Sequence, residues 1–216
     1  PEDKIFSILT RTENACQRAK DLTQQLLTFS RGGSPIKKLV SINKIIKEAA
    51  NVGLKGSKVV CKFVLPEKIW QVKANESQLM QVFNNLIINA CQAMPEGGII
   101  KVSAENLRLA ADNQLQLPEG TYVKIEIHDQ GIGISKENLP KIFDPFYTTK
   151  PTGTSLGLTT VCSIIKKHNG AIKVTSQLGV GTTFQIYLPA SPKEVLVQQV
   201  KTENPSEADS ACGRPP

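Results

Sequence analysis

Val123-Lys124-Ile125-Glu126-Ile127-His128-Asp129-Gln130-Gly131-Ile132-Gly133-Ile134 is the stretch that decides how this chain folds. Its first half alternates apolar and polar residues with period two, the signature of a half-buried strand. Counting on from Val123, Ile125 and Ile127 puts Asp129 on the buried face and His128 on the opposite one, towards solvent. A carboxylate at the end of a buried strand face needs a donor partner. Gly131 and Gly133 let a ligand approach the backbone closely. Taken alone, the stretch is equally a turn capped by Asp.

Upstream, Asn75-x-x-Gln78 resembles a capping box and opens a helix over Glu76–Met94, which Pro95-Glu96-Gly97-Gly98 breaks. Leu79, Val82, Phe83, Leu86, Ile87, Ala90 and Met94 form its apolar face. Gln78, Gln81, Asn85, Asn89 and Gln92 form a polar stripe in steps of three and four. Asn85 and Asn89 stand at i and i+4, so their amides point the same way. Asn competes for backbone bonds and is a middling helix former, so two of them in mid-helix need a reason. Either the stripe faces solvent, or its carbonyl oxygens line a site suited to a hard cation such as Mg²⁺ with phosphates.

Downstream, Gly153-Thr154-Ser155-Leu156-Gly157-Leu158 opens a helix over Leu158–His168, ended by Asn169-Gly170. A glycine-rich turn at a helix N-terminus offers free N–H groups and a favourable dipole to a phosphate. Lys150 lies just before it and can reach a phosphate as a point charge. A surface loop is the plain alternative. In Gly181-Thr182-Thr183-Phe184, Thr182 shares the core-directed face of Phe184, Ile186 and Leu188. That face is expected beside Asp129 at a pocket floor.

The rest of residues 36–190 completes an α+β unit. A short helix over Asn43–Val52 ends at Gly53. Strands are expected at Val59–Leu65, Ile99–Leu107 and Thr121–His128, with a polar connection over residues 108–120. Ala171–Ser176 and Thr182–Leu188 flank Gly179-Val180-Gly181 as a hairpin. Residues 1–33 are a different segment. Ile5, Ile8, Thr12, Ala15, Ala19, Leu22, Leu26 and Phe29 keep a heptad seam for about four heptads. The helix, about 45 Å long, stops at Gly32-Gly33-Ser34-Pro35. Such a helix cannot bury its own seam. It needs a partner from a neighbouring subunit or from sequence before Pro1, or else it packs on the following domain. Residues 191–216 read as a polar, proline-bearing tail or linker.

Composition narrows the classes. Of 216 residues 40% are apolar but only 5% aromatic, so the core must be aliphatic. The net charge of +7 is either a solvated lysine-rich surface or a sign of an anionic partner. No Lys/Arg block is interleaved with aromatics, which argues against a nucleic-acid partner. No run of about 18 apolar residues is present, so no membrane contact is expected. The five cysteines include no Cys-x-x-Cys pair, which fits a reducing compartment and a cytoplasmic location. Two histidines are too few for most His-based metal sites.

In order and spacing, these stretches together resemble the ATP-binding catalytic domain of sensor histidine kinases, of hybrid or nitrogen-sensor-like type. That domain belongs to the ATPase superfamily shared with gyrase B, Hsp90 and MutL. The resemblance covers residues from about 13 to 190. Asn85-Leu86-Ile87-Ile88-Asn89-Ala90 is similar to the N box and Asp129–Ile134 to the first glycine box. Phe143-Asp144-Pro145-Phe146-Tyr147-Thr148-Thr149-Lys150 is similar to the F box, and Gly153–Leu158 to the second glycine box. The run from Arg18 to Arg31 resembles the second helix of the dimerisation domain.

The resemblance implies a two-layer α/β sandwich of Bergerat type, a mixed sheet with helices on one face, preceded by the heptad helix. It implies ATP and Mg²⁺ as ligands. Asp129 would accept from the adenine amino group, with Thr182 holding a water. Gly131, Gly133 and Ile134 would shape that end of the site. Asn89 would ligate Mg²⁺, supported by Asn85. Lys150 and the N–H groups of Thr154, Ser155, Leu156, Gly157 and Leu158 would hold the phosphates, with Phe143 and Phe146 anchoring the lid.

It further implies a homodimer through the N-terminal helix, and a response-regulator receiver domain as the partner. Gyrase-like members carry Glu where Asn85 stands, and an amide cannot take a proton from water, which favours phosphoryl transfer. Two departures stand out. The phosphate-accepting histidine is absent and is expected before Pro1 in a longer parent. Ser155 replaces the middle glycine of the second glycine box, at about a kcal/mol if that position needs positive φ. A non-catalytic scaffold acting through the heptad helix, and a hydrolysing ATPase, are the rival expectations.

Overall fold

The computed structural model describes Ile5, Phe6, Leu9, Thr12, residues 36–145, Tyr147 and residues 156–192. The chain order is β1 (Lys38–Val40), α1 (Ile42–Gly53), β2 (Val59–Val64), β3 (Gln71–Ala74), α2 (Glu76–Ala93), β4 (Gly98–Leu109) and β5 (Gly120–Asp129). A 3-10 turn (Leu139–Lys141), α3 (Gly157–Lys167), β6 (Ala171–Gln177) and β7 (Gly181–Ser191) follow.

The sheet order is β1-β3-β7-β5-β4-β2, with β6 also on β7. Only β2 and β4 run parallel among these pairs, so the sheet is mixed. Alternation sets which side chains meet. Val102, Ile127 and Phe184 are direct neighbours across β4, β5 and β7, as are Ala104, Ile125 and Ile186. All six are buried under the helices. α2 buries Leu79, Val82, Phe83, Leu86, Ile87 and Ala90, the stripe its sequence spacing predicts. α1 adds Ile42, Ile45, Ile46, Ala49 and Ala50. The intervening strand residues form the open face, where Lys124 pairs with Glu105 at 2.9 Å and Gln185 donates to Glu126 at 2.9 Å.

Two strands have no counterpart in the sequence reading. β1 and β3 are three and four residues long, too short to display a period, and each carries an exposed lysine. They exist because they pair with each other and β3 pairs with β7. β7 therefore runs to Ser191, past the expected end at Leu188. The side chain of Asn106 pins the approach to β3, accepting from Trp70 N–H and donating to the Lys68 carbonyl, both at 2.9 Å.

The described cysteines Cys61, Cys91 and Cys162 are free, and burial pushes the Cys61 thiol up to about 11. Of the expected heptad helix, Ile5, Phe6, Leu9 and Thr12 are helical, and the first three are more than half exposed. Ile8, Ala15, Ala19, Leu22, Leu26, Phe29 and the tail after Pro192 lie outside the described residues.

Phe83 is completely buried between helix and sheet. Phe83→Ala should lower the unfolding free energy in urea by about 3–5 kcal/mol. Val60→Ala, on an exposed edge position, should stay within about 0.5 kcal/mol of the parent.

Candidate functional site

Three strands end in one polar row. Asp129 closes β5, faces Thr182 of β7 directly across the ladder, and Thr182 faces Ser176 of β6. Asp129 and Thr182 are each 4% exposed, on a sheet face otherwise aliphatic. Their hydrogen bonds follow from donor arithmetic. Asp129 Oδ1 accepts from the Gly131 N–H at 2.9 Å. Ser176 Oγ accepts from the Ile134 N–H at 2.8 Å and donates to the Gly181 carbonyl at 2.9 Å. Its single proton is then used, so the 2.9 Å contact with Thr182 Oγ1 is donated by Thr182. Thr182 is left presenting oxygen lone pairs. The sequence pattern does not single out Ser176, although its alternation with Ile172 and Val174 places it on this face.

The loop after Asp129 is stitched on both sides. Ile132 N–H donates to the Ala93 carbonyl at 3.2 Å, and Gly179 N–H donates to the Ile132 carbonyl at 2.8 Å. Gly131 and Gly133, expected to admit a ligand, are required first by the protein itself. A Cβ on Gly131 would lie 2.5 Å from Ala93 Cβ and 2.8 Å from Asp129 Oδ1. Gly133 has φ +71°, and its Cβ would lie 2.1 Å from the Gln177 carbonyl oxygen.

α2 carries the second set of polar side chains. Asn75 Oδ1 caps it by accepting from Gln78 N–H at 3.1 Å. The expected capping box is not completed by Gln78, because the Asn75 N–H donates to His168 Nε2 at 3.0 Å. Gln78 Oε1 is buried without a hydrogen-bond partner among the described residues. Gln78, Gln81, Asn85 and Asn89 are half-buried, whereas Gln92 at the end of the stripe is exposed. Asn85 Nδ2 donates to the Gly157 carbonyl at 3.2 Å, which ties α2 to the first residue of α3. Asn89 lies one turn further on.

Leu156 precedes α3 and its carbonyl accepts from Thr160 N–H at 2.9 Å. Leu158 is half-buried against the core. Lys150, Thr154, Ser155 and Phe146 lie outside the described residues.

The stretch before residue 146 is anchored. Phe143 packs on the core. Thr159 Oγ1 stands 3.1 Å and 3.2 Å from the carbonyl oxygens of Phe143 and Asp144. Tyr147 donates to Asn138 Oδ1 at 2.7 Å. No period or motif in the sequence marks Thr159 or Asn138.

The histidines are placed apart from this site. His128 is on the open face, its Nδ1 2.9 Å from Thr183 Oγ1. His168 stands at the C-terminal end of α3. It is 3% exposed, and burial holds its imidazole below the ordinary 6.5.

No cluster of three His, Cys, Asp or Glu suited to a metal occurs among the described residues. The oxygen donors on α2 are neutral amides. That set fits Mg²⁺ taking most of its ligands from phosphates and water, not from a protein cage.

The arrangement is an α/β sandwich with an acceptor row on the sheet and amides on α2, one of them tied to the start of α3. Residues 74–192, more than half of the chain, match the family described as "Histidine kinase-, DNA gyrase B-, and HSP90-like ATPase", and the chain belongs to that family. The chain is 38% identical over 194 residues to the sensor kinase CckA of Brucella abortus (strain 2308), covering 87% of this chain and 20% of that relative. It is 32% identical over 191 residues to the sensor protein FixL of Bradyrhizobium diazoefficiens, covering 87% and 36%.

Among solved structures, the catalytic domain of histidine kinase ThkA superposes with a TM-score of 0.58 at 28% identity, covering 72% of this chain and 97% of that one. Full-length ShkA in complex with AMPPNP superposes with a TM-score of 0.68 at 22% identity, covering 87% and 40%, which bears on the fold alone. The chain spans between a fifth and two-fifths of these two curated relatives. Its fold is that of histidine kinase catalytic domains, the ATP-binding part of such proteins. No helix among the described residues is long and apolar enough to cross a membrane.

The two kinds of glycine in the loop cluster can be separated. Gly179 has φ +76°, and a Cβ added there would meet nothing within 4 Å, so Gly179→Ala should cost about 1 kcal/mol, the left-handed backbone alone. Gly133→Ala adds the collision with Gln177 and should cost roughly 3 kcal/mol or more in urea unfolding.

Proposed function

We propose that this chain is the catalytic portion of a two-component sensor histidine kinase, which binds Mg-ATP and presents its γ-phosphate to a histidine of another segment. The observation that carries the reading is a polar row on the sheet together with an amide of α2 tied to the start of α3. Asp129, Thr182 and Ser176 stand on the sheet, and Asn85 stands on α2, bonded to the start of α3. In this reading Asp129 accepts from the adenine amino group, and Thr182 lone pairs hold a bridging water. Asn89 ligates Mg²⁺, and Asn85 keeps the turn at Gly157 in register with it. Lys150 and the N–H groups of Thr154, Ser155, Leu156, Gly157 and Leu158 hold the phosphates.

Mg²⁺, when bound, neutralises charge on the phosphates. The chain's own contribution is positioning. No carboxylate stands at position 85 to take a proton from water, so transfer to an incoming imidazole is favoured over hydrolysis. Neither histidine of this chain suits the acceptor role, since His168 is buried and His128 lies on the open face. The acceptor would sit on a helical dimerisation segment of which residues 1–33 are part. The phosphoryl group would pass on to an Asp of a receiver domain. Residues 36–190 then form the ATP-binding unit, and 191–216 a linker.

Mg-ATP at about 100 times its dissociation constant should stabilise the chain by about 2.7 kcal/mol, a rise of several degrees in Tm. Asp129→Asn and Asn89→Ala should each abolish most of that rise. Adding a histidine-bearing helix with labelled ATP should give acid-labile phosphohistidine. Steady release of inorganic phosphate without any phosphohistidine would instead support an ATPase. No thermal shift at millimolar Mg-ATP in a folded sample would leave a non-catalytic scaffold as the reading.

A further inference from the structure

The segment that brings the chain into the domain is tied to both site helices by one connected set of hydrogen bonds. Asn75 Nδ2 donates to the Ile36 carbonyl at 3.2 Å. The Asn75 N–H donates to His168 Nε2 at 3.0 Å. His168 Nδ1 lies 2.8 Å from the Ile164 carbonyl oxygen. Lys37 Nζ donates to the Lys167 carbonyl at 2.7 Å, and Lys38 pairs with Glu76 in the first turn of α2.

A backbone N–H can only donate, so Nε2 must be the unprotonated nitrogen. Nδ1 then carries the proton and gives it to Ile164. Both nitrogens are committed in opposite senses, and only the neutral imidazole satisfies both. α2 and α3 are thus held at two points, Asn75–His168 at one end and Asn85–Gly157 at the other.

We propose that His168 is a positioning residue whose neutral Nδ1-protonated ring clamps the incoming segment and the α2–α3 pair into the arrangement that aligns Asn85 and Asn89 with the start of α3. The consequence for nucleotide rests on the Mg-ATP reading above, whereas the clamp itself does not.

Acid should open the clamp. A second ring proton would set an N–H against the Asn75 N–H. The charged groups on the elements packed against the ring are Lys37 and Lys38 on the incoming segment, Lys166 and Lys167 on its own helix, and Glu76 on α2, and of these Lys37 acts on it directly. Burial disfavours the imidazolium first, the Ile164 hydrogen bond opposes that, and Lys37 adds to it, so the folded pKa lies below 6.5. A depressed histidine stabilises fully above its unfolded pKa. That stability is lost as pH falls from about 6.5 towards the folded value.

The test uses the full 216-residue chain. Nitrogen-15 NMR reads the tautomer, and His128→Gln assigns the two rings, the only histidines present. Amide exchange, corrected for intrinsic rates, reads residues 36–40 and 75–78. At pH 7.5, His168→Asn keeps only the donor to Ile164 and should speed exchange at both stretches about ten-fold. It should weaken Mg-ATP about five- to ten-fold. His168→Gln keeps an acceptor for the Asn75 N–H and should hold both within about two-fold of the parent. The parent itself should acquire the His168→Asn exchange pattern as the pH falls below the ordinary histidine range.

An Nε2-protonated parent ring, or unchanged exchange in His168→Asn, overturns the clamp. Faster exchange with undiminished Mg-ATP affinity overturns the positioning role. If the parent binds no Mg-ATP while exchange responds as described, the clamp stands and the nucleotide reading falls.

Discussion

A carboxylate buried in an aliphatic sheet must be given donors, and the site is arranged around that requirement at Asp129. The strand that carries it cannot supply them, because its own N–H groups are spent in the ladders to β4 and β7. The chain therefore turns back on itself, and Gly131 offers its N–H to Oδ1. That turn is only possible without a side chain, since a Cβ would strike the carboxylate and Ala93 together. The next residues are then held by the end of α2 and the β6–β7 turn. Satisfying one buried charge thus brings the end of a helix and the tip of a hairpin to the same place. It leaves Thr182 presenting lone pairs beside it.

α2 forms a wall under a different constraint. α2 is apolar on one side, and its neutral amides are half-buried on another. Charged groups there would cost several kcal/mol in desolvation, whereas amides with partners cost little. Such a wall can orient phosphates and a hard cation but cannot move a proton. The arrangement favours chemistry in which the protein supplies geometry and the reacting groups supply the rest. The helix pair is correspondingly fixed at both of its ends by single hydrogen bonds between polar side chains and backbone, one of them through a neutral histidine.

Legibility in the sequence tracked the length and regularity of each element. The long periodic elements, α2, β4, β5 and β7, declare themselves within a residue or three of their ends, because period 3.6 and period two are local consequences of which side is buried. β1 and β3 do not, being too short for a period and stabilised only by pairing with each other and with β7. The direction of Asp129 and its neighbourhood with Thr182 follow from alternation. Ser176 obeys the same alternation but carries no motif. Thr159 and Asn138 matter through contacts to segments 15 and 9 residues away, which no local pattern encodes.

Gly131, Gly133 and His168 show what local reading leaves open. Glycines in a Gly-x-Gly turn suggest room for a ligand, and the structure adds a second demand, since Ala93 and Gln177 leave no space for a Cβ. A histidine at the end of a helix carries no local mark of its protonation state, which here is fixed by the Asn75 N–H that its Nε2 accepts. By itself, the sequence determined the α+β class, the aliphatic core, the strand faces and the order of the polar stretches, because burial periodicity is written residue by residue. Only the tertiary structure decided which polar atoms meet, and so which protonation state and which backbone each requires. Those demands arise between elements far apart in the chain, where donors and acceptors must be matched one to one.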